Sequence, residues 1–251
     1  MGSGRARLLA ALMFFGVLGA GPARAAAAEA VDVALVLAAD VSRSIDAGEF
    51  DLQRRGYAAG IASPKVLTAI QAGEHGAIAV CFVEWSGPDE QMTVVKWTVI
   101  KDGESAAEFA SILTNAPRSF TGRTSISAGI DYAVKELAQS GVTAERRIID
   151  VSGDGTNNAG RPVTDARDQA VAAGVAINGL AIINERPAGY FFAHTQPPGG
   201  LPAYYKENVV GGTGAFLQVV QDFTTFGDAI TNKLLTEIAA APASPSRAAL
   251  R

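Results

Sequence analysis

Apolar runs without polar interruption alternate with helical stripes along most of this chain. Val31 to Ala39 is apolar on successive positions except Asp32, which predicts a strand buried on both faces. Asp46 precedes Glu49 by three, a capping-box start, and Phe50, Tyr57, Ala58 and Ile61 keep one helical face until Ser63-Pro64 ends it. Ala77 to Trp85 repeats the buried-strand pattern. The turn residues Ser86-Gly87-Pro88-Asp89 follow, and then Met92 to Ile100, whose alternation suits an edge strand. Ser105 to Asn115 reads as a helix. So does the run carrying Ile126, Ile130, Val134 and Leu137, which Gly141 closes. Arg147 to Ser152 is a short strand before the loop "GDGTNNAG". Asp165 to Ala173 is a helix closed by Gly174, and Val175 to Ile183 a buried strand. Residues 184 to 203 are irregular. Ala215 to Val220 is a last strand, and Asp222 to Ile238 a helix with Phe223, Phe226, Ile230 and Leu234 on one face.

Strands that alternate with helices predict an α/β fold, a doubly wound and mainly parallel sheet with helices on both faces. The short link between the second and third strands adds one antiparallel edge hairpin. Ligands of such sheets bind beyond the carboxyl ends of the strands. The segment 184–203 leaves one of those ends, so it should overhang that edge. Its aromatics Tyr190, Phe191 and Phe192 either contact a ligand or pack the loop down.

The first residues change the compartment. Arg5 and Arg7 precede the apolar run Leu8 to Ala20, and Ala23-Arg24-Ala25 offers a small-x-small cleavage site, so residues 1–25 read as a signal peptide. The run is too short to span a bilayer, for which ~20 residues are needed. The chain is therefore expected in the periplasm or secreted. Residues 31–240 are expected to form one domain and 241–251 a disordered tail. Three of the 21 basic residues leave with the signal peptide, so 18 face 25 acids. That balance argues against a nucleic-acid partner, which demands a basic footprint. The single cysteine, Cys81, sits in an apolar run and reads as a buried thiol. Without an internal disulfide, stability rests on the core.

Three loops carry the candidate chemistry. Asp40, Ser42 and Ser44 follow the first strand at every second position, Thr124 precedes a helix, and Asp154 follows the strand Arg147 to Ser152. Two carboxylates and three hydroxyls, with no nitrogen or sulfur, are what a hard cation such as Mg²⁺ selects. Each piece alone has a plainer explanation: Ser-x-Ser and Thr124 can cap helices, and Asp-Gly is commonly a turn.

Taken together and in this order, Asp-x-Ser-x-Ser, a Gly-x-Thr loop and Asp-Gly resemble the von Willebrand factor A-type (vWA) domain and its metal-ion-dependent adhesion site, over about residues 31 to 238. More narrowly, "DVSRSID", "FVEWSG", "TGRTSIS" and "VSGDGTNN" resemble a group of exported proteobacterial proteins of unknown function carrying that domain. The resemblance implies that Ser42, Ser44 and Thr124 touch a metal while Asp40 and Asp154 act partly through water. Mg²⁺ is first choice, Ca²⁺ or Mn²⁺ the alternatives. Neutral hydroxyls quench little of the cation's charge, so an Asp or Glu of a protein or peptide partner would complete the shell. The rival is a metal-assisted periplasmic hydrolase or phosphatase at the same edge. The Asp-x-Asp pair of aspartyl phosphatases is absent, since Ser42 holds the second position, and no Gly-x-Ser-x-Gly elbow supports a serine hydrolase. Arg43, where family members often have a small residue, and Arg123 flank the site. They draw an acidic ligand, or simply face solvent or pair with Asp46, Asp154 or Glu185. His75 and His194 lack zinc spacing, and Asp131 and Glu136 read as solvated helix charges.

Overall fold

The computed structural model describes residues 28–183, 197–221 and 223–239. The expected signal peptide, the tail and the aromatics Tyr190, Phe191 and Phe192 lie outside these residues. Six strands form one sheet: β1 (Glu29–Asp40), β2 (Ile78–Trp85), β3 (Gln91–Ile100), β4 (Val142–Gly153), β5 (Ala176–Ile182) and β6 (Leu217–Val220). Their order is β3-β2-β1-β4-β5-β6. All pairs are parallel except the β2–β3 hairpin. The expected doubly wound sheet with one antiparallel edge is therefore present.

The central position of β1 explains its unbroken apolar run. Val33, Leu35, Leu37 and Ala39 enter one core, while Ala34, Val36 and Ala38 enter the other. The first face is covered by α1 (Ala47–Ile61), α2 (Pro64–Gln71), α3 (Gly103–Asn115) and α7 (Phe226–Ala239). The second is covered by α4 (Ile126–Ala138), α5 (Val163–Ala172), the short α6 (Gly200–Tyr204) and the π-helical turn Tyr205–Val209 that continues it.

Several boundaries differ from the sequence reading, four of them informatively. Ser63-Pro64 does end α1, but it also opens α2: Ser63 Oγ accepts the Val66 N–H at 3.2 Å, and Pro64 occupies the first turn, where its missing N–H is harmless. β4 begins five residues early, at Val142. Its first half alternates between half-buried and exposed positions through Glu145, Arg146 and Arg147, so no apolar run announces it. A 3₁₀ turn, Phe223–Thr225, precedes α7. Within the expected irregular segment, Gly200 to Ala203 are helical.

One face also buries charge. Lys233 Nζ lies 2.8 Å from Asp150 Oδ1 and also pairs with Glu237, all three at or below 1% exposure. Asn178 Nδ2 donates to Glu237 Oε1 at 2.8 Å, and Asn178 Oδ1 accepts the Phe216 N–H. Burial raises the Asp150 carboxyl to about 7, with Lys233 opposing and Glu237 adding to the rise. Burial alone would lower Lys233, but the two carboxylates outweigh it and keep the ammonium charged.

Candidate functional site

The carboxyl ends of β1 and β4 and the N-terminus of α4 meet at one edge of the sheet. Asp40 is the last residue of β1, fully buried. The chain then turns sharply: the Ser42 N–H donates to Asp40 Oδ1 at 2.7 Å, and the Ile45 N–H to the Ser42 carbonyl at 3.0 Å. The capping box of α1 fixes the exit. The Glu49 N–H donates to Asp46 Oδ1 (2.8 Å) and the Asp46 N–H to Glu49 Oε2 (2.9 Å). Two residues before this cap, Ser44 is held at the rim, half-buried.

Thr124 is delivered by the loop between α3 and α4. Its N–H donates to Asn158 Oδ1 at 3.1 Å, and its carbonyl accepts the N–H groups of Asn158 and Ala159. The hairpin tip supports the same loop: the Ser125 N–H donates to the Ser86 carbonyl at 2.7 Å. Asp154 follows β4 directly and is 5% exposed.

All five expected residues come together. Thr124 Oγ1 donates to Ser42 Oγ at 3.2 Å, Ser42 Oγ and Ser44 Oγ share a hydrogen bond at 3.0 Å, and Ser44 Oγ donates to Asp154 Oδ1 at 2.8 Å. Asp40 meets the group through its bond to the Ser42 amide. Its Oδ2 is buried and accepts no hydrogen bond from the described residues. Burial, and then the charge of Asp154, push the Asp40 carboxyl up to about 8; the Ser42 amide and hydroxyl and the Arg118 cation pull the other way. Among the described residues, no three His, Cys, Asp or Glu side chains cluster as metal ligands. This edge offers hydroxyls in their place.

Two residues at the site have no motif in the sequence. Arg118 donates to four carbonyls: Nη2 to Val41 (2.7 Å) and Ser42 (2.8 Å), Nη1 to Ile45 (2.9 Å) and Nε to Phe120 (2.9 Å). One guanidinium thus ties the loop carrying Thr124 to the loop carrying Ser42 and Ser44. A buried ion pair also anchors this connection. Arg54 Nη2 lies 2.6 Å from Glu84 Oε1, and Glu84 Oε2 accepts the Ser119 N–H at 2.8 Å. The other unforeseen residue is Tyr205, fully buried on the π-helical turn beside Gly153. Nothing in "AYYKENV" marks it, because the partner it faces is supplied by β1.

The flanking arginines take the plainer of the two expected placements, while Asp131 departs from its expected one. Arg43 and Arg123 are exposed at the rim, and Arg123 donates to the Asn158 carbonyl rather than to a carboxylate. Asp131 is not simply solvated: Arg161 grips it through Nε (2.9 Å) and Nη2 (2.5 Å), bridging α4 to the segment before α5. Cys81 is buried with a free thiol, as expected.

Comparison with known families and structures agrees with this architecture. A family described as "Protein of unknown function (DUF1194)" matches residues 30–242. The chain belongs to the DUF1194 family. No curated protein matches it. Among solved structures, this DUF1194 chain is similar to proximal thread matrix protein 1 of the mussel byssus, at 16% identity and TM-score 0.59, covering 85% of this chain and 49% of that one. A further structure of the mussel protein, with TM-score 0.51 and 16% identity over 81% of this chain and 46% of that one, has a zinc-occupied MIDAS motif. A von Willebrand factor type A protein from Catenulispora acidiphila gives 12% identity and TM-score 0.57, over 83% of this chain and 43% of that one. The pilus adhesin SpaC of Lactobacillus rhamnosus GG gives 14% and 0.56, over 83% and 31%. The DUF1194 chain thus spans half or less of the length of each of these proteins, and what it shares with them is the vWA-like fold. No helix among its described residues is long and apolar enough to cross a membrane.

Proposed function

We propose that this DUF1194 protein is an exported, divalent-cation-dependent binding domain of the adhesion type. Ser42, Ser44 and Thr124 would hold the cation, with Asp40 and Asp154 behind them. The observation that carries the reading is the spacing of the oxygens. Neighbouring ligands of an octahedral Mg²⁺ with bonds of ~2.0–2.1 Å lie ~2.9 Å apart. The successive oxygens of Thr124, Ser42, Ser44 and Asp154 are separated by 3.2, 3.0 and 2.8 Å. The electrostatics fit as well. Two buried carboxylates crowd one another, and Asp40 Oδ2 has no donor among the described residues; a cation supplies the missing positive charge.

When bound, the cation supplies Lewis acidity toward an oxygen ligand. The residues around it set which ligand. Three of the five side chains are neutral and the two carboxylates lie behind them, so the cation's outward face, past Ser44, the one half-buried member of the set, would have no anionic ligand of its own. Arg43 and Arg123 are exposed at that rim, and their charge favours an acidic group. The partner is therefore a protein or peptide presenting an Asp or Glu. The adhesin and matrix protein that share the fold are consistent with binding as the role of the domain.

Titration calorimetry with Mg²⁺ and Mn²⁺ tests the first half of the reading. Wild type should show saturable uptake that Ser42→Ala and Asp154→Ala each abolish or greatly weaken; equal heats in all three refute it. Pull-down from an exported fraction tests the second half. A partner retained in the presence of chelator refutes cation-mediated capture, and Mg²⁺-dependent phosphatase turnover lost in Asp40→Asn would replace the reading with the hydrolase.

A further inference from the structure

Tyr205 and Asp40 come from elements far apart in the chain, yet their polar ends share one space. A Cβ placed on Gly153 would lie 2.6 Å from the Tyr205 hydroxyl oxygen and 3.0 Å from Asp40 Oδ2. Both residues are fully buried, and neither oxygen has a hydrogen-bond partner among the described residues. A buried hydroxyl or carboxylate oxygen left unpaired is destabilising, so two such atoms on the same side of one glycine point to a shared purpose. The two oxygens face the same space with no direct hydrogen bond between them; one bridging water would serve both.

We infer that Tyr205 is a positioning residue of the site, whose hydroxyl, through a bridging water, orients Asp40 toward the cation and ties the site to the π-helical turn that follows α6. The inference rests on the metal reading above and deepens it. The preceding residue strengthens the geometry, since the Tyr204 hydroxyl accepts the Asn157 N–H at 3.1 Å. Asn157 in turn holds the start of α4 by accepting the Ser127 N–H at 3.0 Å. Adjacent tyrosines of one turn thus reach two of the three loops, Tyr204 the loop after β4 and Tyr205 the end of β1. A π-helical turn suits the task because its wider winding is found at functional sites more than elsewhere. Gly153 is required between them: any side chain there would enter the space that the two oxygens occupy.

Tyr205→Phe removes one oxygen and preserves the ring, so the variant folds with its core intact. Loss of a group that orients a metal ligand weakens metal binding by roughly 10–100-fold. Mn²⁺ titrated into Tyr205→Phe should therefore bind at least about tenfold more weakly than into wild type. Equal Mn²⁺ affinity overturns the inference. A double-mutant cycle of Tyr205→Phe and Asp40→Asn, followed by urea unfolding in chelator, decides the contact without any cation. The two midpoint shifts should fail to add; strict additivity overturns the inference. If wild type takes up no Mn²⁺, the metal reading fails, and the cycle still reports whether the two side chains are coupled.

Discussion

Removing the guanidinium of Arg118 should loosen the metal loop more than the rest of the fold. In Arg118→Ala the carbonyls of Val41 and Ile45 lose their donor while that of Ser42 keeps only the Ile45 N–H, and all three belong to residues at or below 1% exposure. A stranded buried carbonyl costs about 1–3 kcal/mol. Arg118 itself is only half-buried, so water can re-enter beside the truncated side chain and recover part of the loss. The cation also sits 5.5 Å over the Phe50 ring, a smaller contribution that is lost as well. The net expectation is a destabilisation of about 2–4 kcal/mol, read as a shift in the urea midpoint of the metal-free protein with an unchanged slope. Arg118→Lys separates geometry from charge: an ammonium cannot serve carbonyls on both loops with a planar fork, so it should restore no more than about half of the loss. Hydrogen exchange at Ser42 and Ile45 localises the effect, since both amides lie in the clamped turn. A loss under about 0.5 kcal/mol for Arg118→Ala, or full restoration by lysine, refutes the clamp.

Three further outcomes follow from the buried groups. Lys233→Met strands Asp150 and Glu237 and should cost about 3–5 kcal/mol by urea unfolding, whereas Lys233→Met with Asp150→Val and Glu237→Leu should recover most of it; a mild single variant refutes the ion cluster. Asp40 has a folded-state pKa of about 8 against an ordinary 3.8, so its contribution to metal-free stability is fully present below pH 4 and is lost as pH rises through 8. Between pH 5 and 7 this group alone contributes a fall of up to about 1.4 kcal/mol per pH unit; Asp40→Asn should flatten the slope of midpoint against pH, and an unchanged slope counts against it. Gly153→Ala forces a methyl against Tyr205 and Asp40, and should lower the melting temperature, at a cost of about 1–3 kcal/mol, while abolishing the shift produced by Mg²⁺. A variant as stable and as Mg²⁺-responsive as wild type refutes the tight fit.

Which features of the site were legible in the sequence depends on where each residue's partner comes from. Asp40, Ser42 and Ser44 announce themselves because their role is written in a local period: they share one short stretch at the end of a strand whose apolar run marks it as central. Thr124 and Asp154 sit at element ends that hydrophobic patterning also locates. Arg118 and Tyr205 act through atoms that carry no side-chain signature. Arg118 reads only backbone carbonyls, three of them more than 70 positions away in the chain. Tyr205 faces an oxygen on β1 across a glycine on β4. The same logic accounts for the first half of β4, where Val142 to Arg147 are fixed by pairing with Glu29 to Ala34 of β1 rather than by an apolar run of their own. Residues that touch the ligand must be of a particular chemical type and so leave a pattern. Residues that hold those ligands in place need only a donor at the right point in space, and many positions in the chain can supply one. The site therefore has two layers with different tests: changes to the hydroxyls should act on cation binding with the fold unaltered, whereas changes to Arg118 should move loop stability and cation binding together.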